Sequence, residues 1–139
     1  MSKKKTKKLL RAIQKRVGKA LAEYDMETDA VYVFVRKDIP IFAQAVQVGH
    51  ACLEAGRLFH DDFSRHTSHL VLLRVKDEWE LEKVMKVCSA EDARYHCFFE
   101  PDRDSLGGED PSFTALCTEP LLKKDWAEVF ESYELWNVQ

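Results

Sequence analysis

Near the start of the chain a run rich in β-branched and aromatic residues ends in Arg36-Lys37-Asp38 and leads into a segment carrying Gln47-Val48-Gly49-His50-Ala51. Imidazole exchanges protons near neutral pH, so His50 is the first side chain to consider as a base or as a group that orients water. At about 100° per residue, Ala45, Val48, Cys52, Ala55 and Phe59 form one apolar stripe. Gln47, His50, Glu54 and Arg57 then share the opposite side, and this polar stripe is the expected site.

Other chemistry is thinner. His60, Asp61, Asp62, His66 and His69 crowd into ten residues, but their spacing matches no zinc pattern, so no metal is assigned. His96 lies mid-strand between Tyr95 and Cys97 and reads as a structural histidine with a satisfied ring. Gly107-Gly108 precedes a strand instead of a helix, which excludes phosphate-loop and dinucleotide signatures, and no GxSxG elbow occurs. Cys52, Cys88, Cys97 and Cys117 are far apart with no CxxC pair, and read as reduced, mostly buried thiols.

With 139 residues, 45% of them hydrophobic, the chain is large enough for one domain with a real core. No apolar run approaches the roughly 18 residues of a membrane helix, and the N-terminus lacks a signal-peptide core, so the expectation is a cytoplasmic protein without a membrane partner. The net charge of −3 hides an asymmetry. Residues 1–19 hold nine cations (Lys3, Lys4, Lys5, Lys7, Lys8, Arg11, Lys15, Arg16 and Lys19) and no acid, leaving 12 basic against 24 acidic side chains over residues 20–139. A +9 arm on a −12 body fits phosphate contacts through counterion release, a solubilising tail, or an arm docked on the acidic body.

Within that arm, Leu9, Leu10, Ile13, Val17, Leu21 and Tyr24 recur at helical spacing, which predicts an amphipathic helix over 4–24 with a fraying, all-lysine first turn and a linker at 25–29. Residues 1–29 thus form a basic leader and 30–139 an α/β body. Strands are expected at 30–36, 69–75, 94–100 and 112–118, with a last extended piece at 135–138. Helices are expected at 41–60, after Pro40, at 78–88, capped by Asp77, and at 124–133. The segment 61–68 reads as irregular. Pro101 to Pro111 is the strongest loop signal, and the strands that it joins must pair antiparallel.

The order of these pieces resembles the archaeal and eukaryotic type of peptidyl-tRNA hydrolase. Arg36 and Asp38 follow the first strand, Gln47, His50 and Ala51 lie on the helix, and Thr114, Leu116 and Pro120 on and after the last long strand. The resemblance covers about Val31 to Trp136. It implies a three-layer α/β/α sandwich on a four-stranded mixed sheet, here extended by an N-terminal basic helix. It also implies hydrolysis of the ester that joins a peptide to tRNA, with His50, Glu100 and Thr114 as catalytic groups. Arg36, Lys37, Asp38, Gln47 and Asp104 would line the site, and no cofactor is implied. Lys3, Lys4, Lys5, Lys7, Lys8, Arg11, Lys15 and Arg16 would grip the tRNA, and a homodimer joins the expected states.

The chain departs from that pattern at the cation. The family places Gly-Lys at the positions occupied here by Phe42 and Ala43, and Asp-Ala-Gly-X-Thr where this chain has Glu100-Pro101-Asp102-Arg103-Asp104. Lys37 and Arg103 are the candidate substitutes. Three functions stay open: a divergent hydrolase, a non-catalytic domain of the same fold that binds tRNA or another RNA, and an interaction module whose acidic body meets a basic protein.

Overall fold

The computed structural model describes residues 2–27, 29–63 and 68–136, with side chains over 2–17, 29–61 and 68–136. The leader is one helix, α1 (Lys3–Glu27). Its first turn is capped: the Ser2 hydroxyl accepts from the Lys5 amide at 3.3 Å and the Ser2 carbonyl from the Thr6 amide at 3.0 Å, which satisfies donors that a helix start leaves open. The helix extends through most of the expected linker, so β1 (Asp29–Arg36) follows almost at once. Leu9, Leu10, Ile13 and Val17 are about half exposed, and α1 approaches the C-terminal helix α5 introduced below. The stripe members Leu21 and Tyr24 lie outside the described side chains.

After β1 come α2 (Ile41–Leu58), the short α3 (His60–Phe63), which runs three residues into the segment expected to be irregular, and β2 (His69–Val75). The remainder of that segment, 64–67, lies outside the described residues. Then follow α4 (Glu78–Ala90), β3 (Tyr95–Glu100), β4 (Ser112–Thr118), β5 (Leu121–Leu122), α5 (Lys123–Phe130) and β6 (Glu134–Leu135). Asp77 caps α4 by accepting from the Glu80 amide at 2.9 Å, while Glu80 reaches back to the Lys76 amide at 3.0 Å.

Four long strands make the sheet in the order β3-β4-β1-β2, with β1 and β2 parallel and the others antiparallel. The expected four-stranded sheet has six strands, because β6 extends the β2 edge and β5 pairs with the start of β1. Both additions are two residues long, too short to leave a periodic pattern in the sequence. The last extended piece is Glu134–Leu135, one residue earlier than expected, and 137–139 lie outside the described residues.

β1 shows why the domain has three layers. Strand side chains alternate between faces, so Ala30, Tyr32 and Phe34 enter a core under α4 and α5 with Leu81, Val84, Leu116 and Phe130. Val31, Val33 and Val35 enter a second core under α2 with Ala51, Ala55, Ala115 and Cys117. β1 is buried on both faces, which is why it is a nearly continuous apolar run.

Candidate functional site

α2 and the carboxyl ends of β1 and β3 build the site. The helix is turned by roughly a quarter-turn from its expected orientation. Its buried residues are Ala43, Gln44, Gln47, Ala51 and Ala55, whereas Ala45 is exposed. Gln47, expected on the outer polar stripe, is fully buried against the sheet. The orientation is set by the small alanines, which bring the helix close to β1 and β4, and by the fact that each buried glutamine amide finds a partner for both its oxygen and its nitrogen.

A β-bulge delivers the partner of Gln47. Phe98 pairs with Ala115 but Phe99 with Phe113, so Thr114 is an extra residue in β4. Both Thr114 and Ala115 consequently turn toward α2, where strict alternation would allow only one. The Thr114 hydroxyl donates to Gln47 Oε1 at 2.6 Å, and Gln47 Nε2 donates to Glu100 Oε2 at 3.1 Å. The second carboxylate oxygen, Glu100 Oε1, accepts from the Asp102 amide at 3.0 Å. Thr114 and Gln47 have no exposure and Glu100 has 5%, so this chain of polar groups is closed to solvent.

His50 is exposed, and its ring stacks on Phe98 with centroids 4.6 Å apart and planes at 9°. One turn further along α2, Glu54 pairs with His96 on β3, which supplies the partner expected for that histidine. Arg36 forms a two-pronged pair with Asp38, at 2.9 and 2.8 Å, and donates to the Ser112 hydroxyl at 2.7 Å and the Phe113 carbonyl at 3.1 Å. The hydrogen bond to Asp38 raises the Arg36 pKa still further, so this group is a permanent cation that ties β1 to β4.

The candidate cations are committed elsewhere. Lys37 reaches the other edge of the sheet and pairs with Glu134 at 2.9 Å, and Arg103 pairs with Asp110 at 2.8 Å on the exposed loop. Asp104 starts a 3-10 turn (Asp104–Leu106), with its amide bonded to Asp102 Oδ1 at 3.0 Å. That turn drives Leu106, fully buried, into a small cluster with Ile39 and Ala43. Gly107, at φ +68°, lies so close to Pro40 that an added Cβ would meet Pro40 Cγ at 2.8 Å. The space at the head of α2 is therefore filled by hydrocarbon from the long loop.

The structure thus brings Gln47, Glu100 and Thr114 together, places Lys37 and the arm cations elsewhere, and leaves His50 on the outside of α2. Sequence reading missed Phe98 beneath His50, Leu106 over Ala43, and Gln44, whose Nε2 donates to the Ile39 carbonyl at 2.8 Å and whose Oε1 accepts from Trp136 Nε1 at 2.9 Å. A leucine between acids and a Gly-Gly pair was the available signal for Leu106. Among the described residues no group of three or more His, Cys, Asp or Glu is placed to hold a metal. Nor is any described helix long and apolar enough to cross a membrane.

Comparison with solved structures finds a similar fold in a protein of unknown function, Atu0240, from Agrobacterium tumefaciens strain C58. The TM-score is 0.56 at 9% identity, over 78% of this chain and 98% of that one. At that identity the likeness concerns the fold alone. No curated protein matches the chain. Residues 30–136, the whole α/β body from β1 to the end of the described residues, match the family described as peptidyl-tRNA hydrolase PTH2, and the chain belongs to that family.

Proposed function

We propose that this chain is a non-catalytic peptidyl-tRNA hydrolase-like domain that binds tRNA or another RNA through α1. One observation carries the reading. Ala43, which occupies the position of the lysine in the family pattern, is buried with 1% exposure under Leu106 and Ile39. An ester hydrolase of this kind needs a cation or donor at the developing oxyanion, in a space that the carbonyl can enter. Hydrocarbon fills that space here, and the hydroxyl and amide of Thr114 and Gln47 are bonded to each other out of reach of solvent.

The arm supports the binding half of the reading. Lys3, Lys4, Lys5, Lys7, Lys8, Arg11, Lys15 and Arg16 are all exposed on one continuous helix with no acid among them through residue 19. Such a surface neutralises phosphates without reading bases. Residues 20–139, at −12, serve as a scaffold that repels the rest of the nucleic acid and confines contact to the arm.

A turnover assay on peptidyl-tRNA beside a tRNA gel shift tests the proposal. The expected result is salt-dependent binding with no release of peptide above background. Release of peptide that disappears in His50→Ala would overturn it in favour of a divergent hydrolase in which exposed His50 acts as the base.

A further inference from the structure

α2 carries an apolar line on its outer side as well as a face toward the sheet. Phe42, Val46, Gly49, Leu53 and Gly56 recur at alternating spacings of four and three residues, which aligns them along the helix. Phe42 is 64% exposed, Val46 49% and Leu53 75%, the highest value of any large hydrophobic side chain among the described residues. The sheet takes the opposite side, through Ala43, Gln47, Ala51 and Ala55. The two glycines have no role within one copy. A Cβ at Gly49 or Gly56 would meet nothing within 4 Å, and neither glycine has a positive φ. Glycine inside a helix costs stability relative to alanine, so the reason for both lies outside the sandwich.

We propose that this face binds the same face of a second copy, as a two-fold antiparallel pair of α2 helices that cross at Gly49. Single apolar residues are ordinary on a surface, whereas a continuous apolar line along a helix marks an interface. The line is also self-complementary under a two-fold axis, which is the property a homodimer needs. With Gly49 over Gly49 of the other copy, Phe42 meets the other copy's Gly56, and Leu53 meets its exposed Ala45. Large side chains thus face small ones, and the glycine at the crossing lets the helix axes approach closely.

Charge and area set the strength of the pairing. Residues 41–53 hold no Asp, Glu, Lys or Arg, so the centre of the face can be dried without stranding a charge. Exposed Arg57 lies at the C-terminal end of the line, and antiparallel pairing carries it to Phe42 of the other copy, where a guanidinium can sit over the ring. The 18 residues of α2 span about 27 Å, and a helix is about 10–12 Å across, so the face offers roughly 300 to 500 Å² per copy. A total below about 1,000 Å² is at the low end for specific interfaces. It supports a weak, reversible dimer that is half associated at tens of micromolar, on the order of 10⁻⁵ to 10⁻⁴ M.

The test is sedimentation velocity on the full-length chain from about 1 to 200 μM, a range that brackets the expected midpoint. Wild type is expected to shift from the mass of one chain to that of two as concentration rises. Leu53→Lys and Gly49→Lys should each weaken association by about thirtyfold or more, because they put charge into the dried centre. Both positions are exposed, so the melting temperature of the dilute variants should match that of wild type. Gly49→Cys should form a disulfide between copies through residue 49 under mild oxidation, located by peptide mapping. Trp79→Cys, at an exposed position on α4, should not. A single-chain mass at every concentration overturns the proposal and leaves the face to a different protein. A dimer that survives both lysine variants overturns it too, since it must use another surface. So does a Gly49→Cys chain that crosslinks no faster than Trp79→Cys, which would deny the crossing point.

Discussion

Thr114 donates its hydroxyl to the side-chain oxygen of Gln47 at 2.6 Å, and neither side chain has any exposure to solvent. The contact exists because a bulge in β4 and the close approach of α2 cooperate, and it orients the Gln47 amide toward Glu100. A buried polar chain is stabilising only while every member has its partner.

Gln47→Ala should therefore cost more than a typical surface change. It removes two hydrogen bonds and leaves Thr114 and the Glu100 carboxylate short of partners in a dry site, a loss of about 3 kcal/mol by urea unfolding. Thr114→Val should cost about 1 to 2 kcal/mol. A double-mutant cycle between the two should return a coupling of about 1 kcal/mol, and additivity within error would show that the contact contributes nothing.

The filled head of α2 predicts that restoring the family's lysine is destructive. Ala43→Lys forces an ammonium group into the space held by Leu106 and Ile39, which should cost roughly 3 kcal/mol or more. Leu106→Ala alone should lose about 2 to 4 kcal/mol through the cavity it leaves. Combined, the two should cost less than their sum, because the cavity makes room for the lysine. A strictly additive double variant in thermal or urea unfolding would contradict the filled-space account.

Deletion of residues 1–19 should weaken tRNA binding by roughly tenfold or more near 0.15 M salt and flatten the dependence of log K on log salt. Fluorescence anisotropy at several salt concentrations measures both. An unchanged slope would remove α1 from the interface.

The Lys37–Glu134 pair should respond to acid. The hydrogen bond from Lys37 and the Arg74 and Lys37 charges hold the Glu134 carboxyl below its ordinary value, against a smaller effect of desolvation. Whatever this pair contributes is present above the ordinary carboxylate value of about 4.3 and is lost as pH falls through the lower folded value. The indole N–H of Trp136, two residues beyond Glu134 and bonded to Gln44, reports on β6 by NMR. In wild type its shift should hold to lower pH than in Lys37→Met; identical midpoints would mean that the pair does not anchor the strand.

Thiol labelling should follow burial and pKa together. The Cys52 pKa is lowered, whereas burial pushes Cys88 up to about 11 and Cys97, with added repulsion from Glu78 and Glu82, up to about 12. Iodoacetamide near pH 8 should thus modify Cys52 first in the folded protein, with the others reacting only on unfolding. Early labelling of Cys88 or Cys97, located by peptide mapping, would contradict this order.

Much of the body was legible in the sequence. The strands at 69–75 and 112–118 appear at the expected bounds, and Asp77 caps α4, because alternation, turn residues and caps are local properties. β5 was not legible, since two residues carry no period; β6 was anticipated only as a last extended piece at 135–138, and the bulge that turns Thr114 toward α2 was not legible either.

The sequence by itself determined the layered α/β body, the basic leader, and an ordered set of residues like that of the peptidyl-tRNA hydrolases. The absence of a lysine at Ala43 was equally plain. What only the tertiary structure decided is what occupies that position and which way α2 faces. The loop that places Leu106 over Ala43 begins nearly sixty residues later in the chain, and such contacts depend on chain topology, which no local period encodes. The buried side of α2 was likewise set by alanines that fit against the sheet and by glutamines whose partners, Glu100, Thr114 and Trp136, are brought to them only when the sandwich closes.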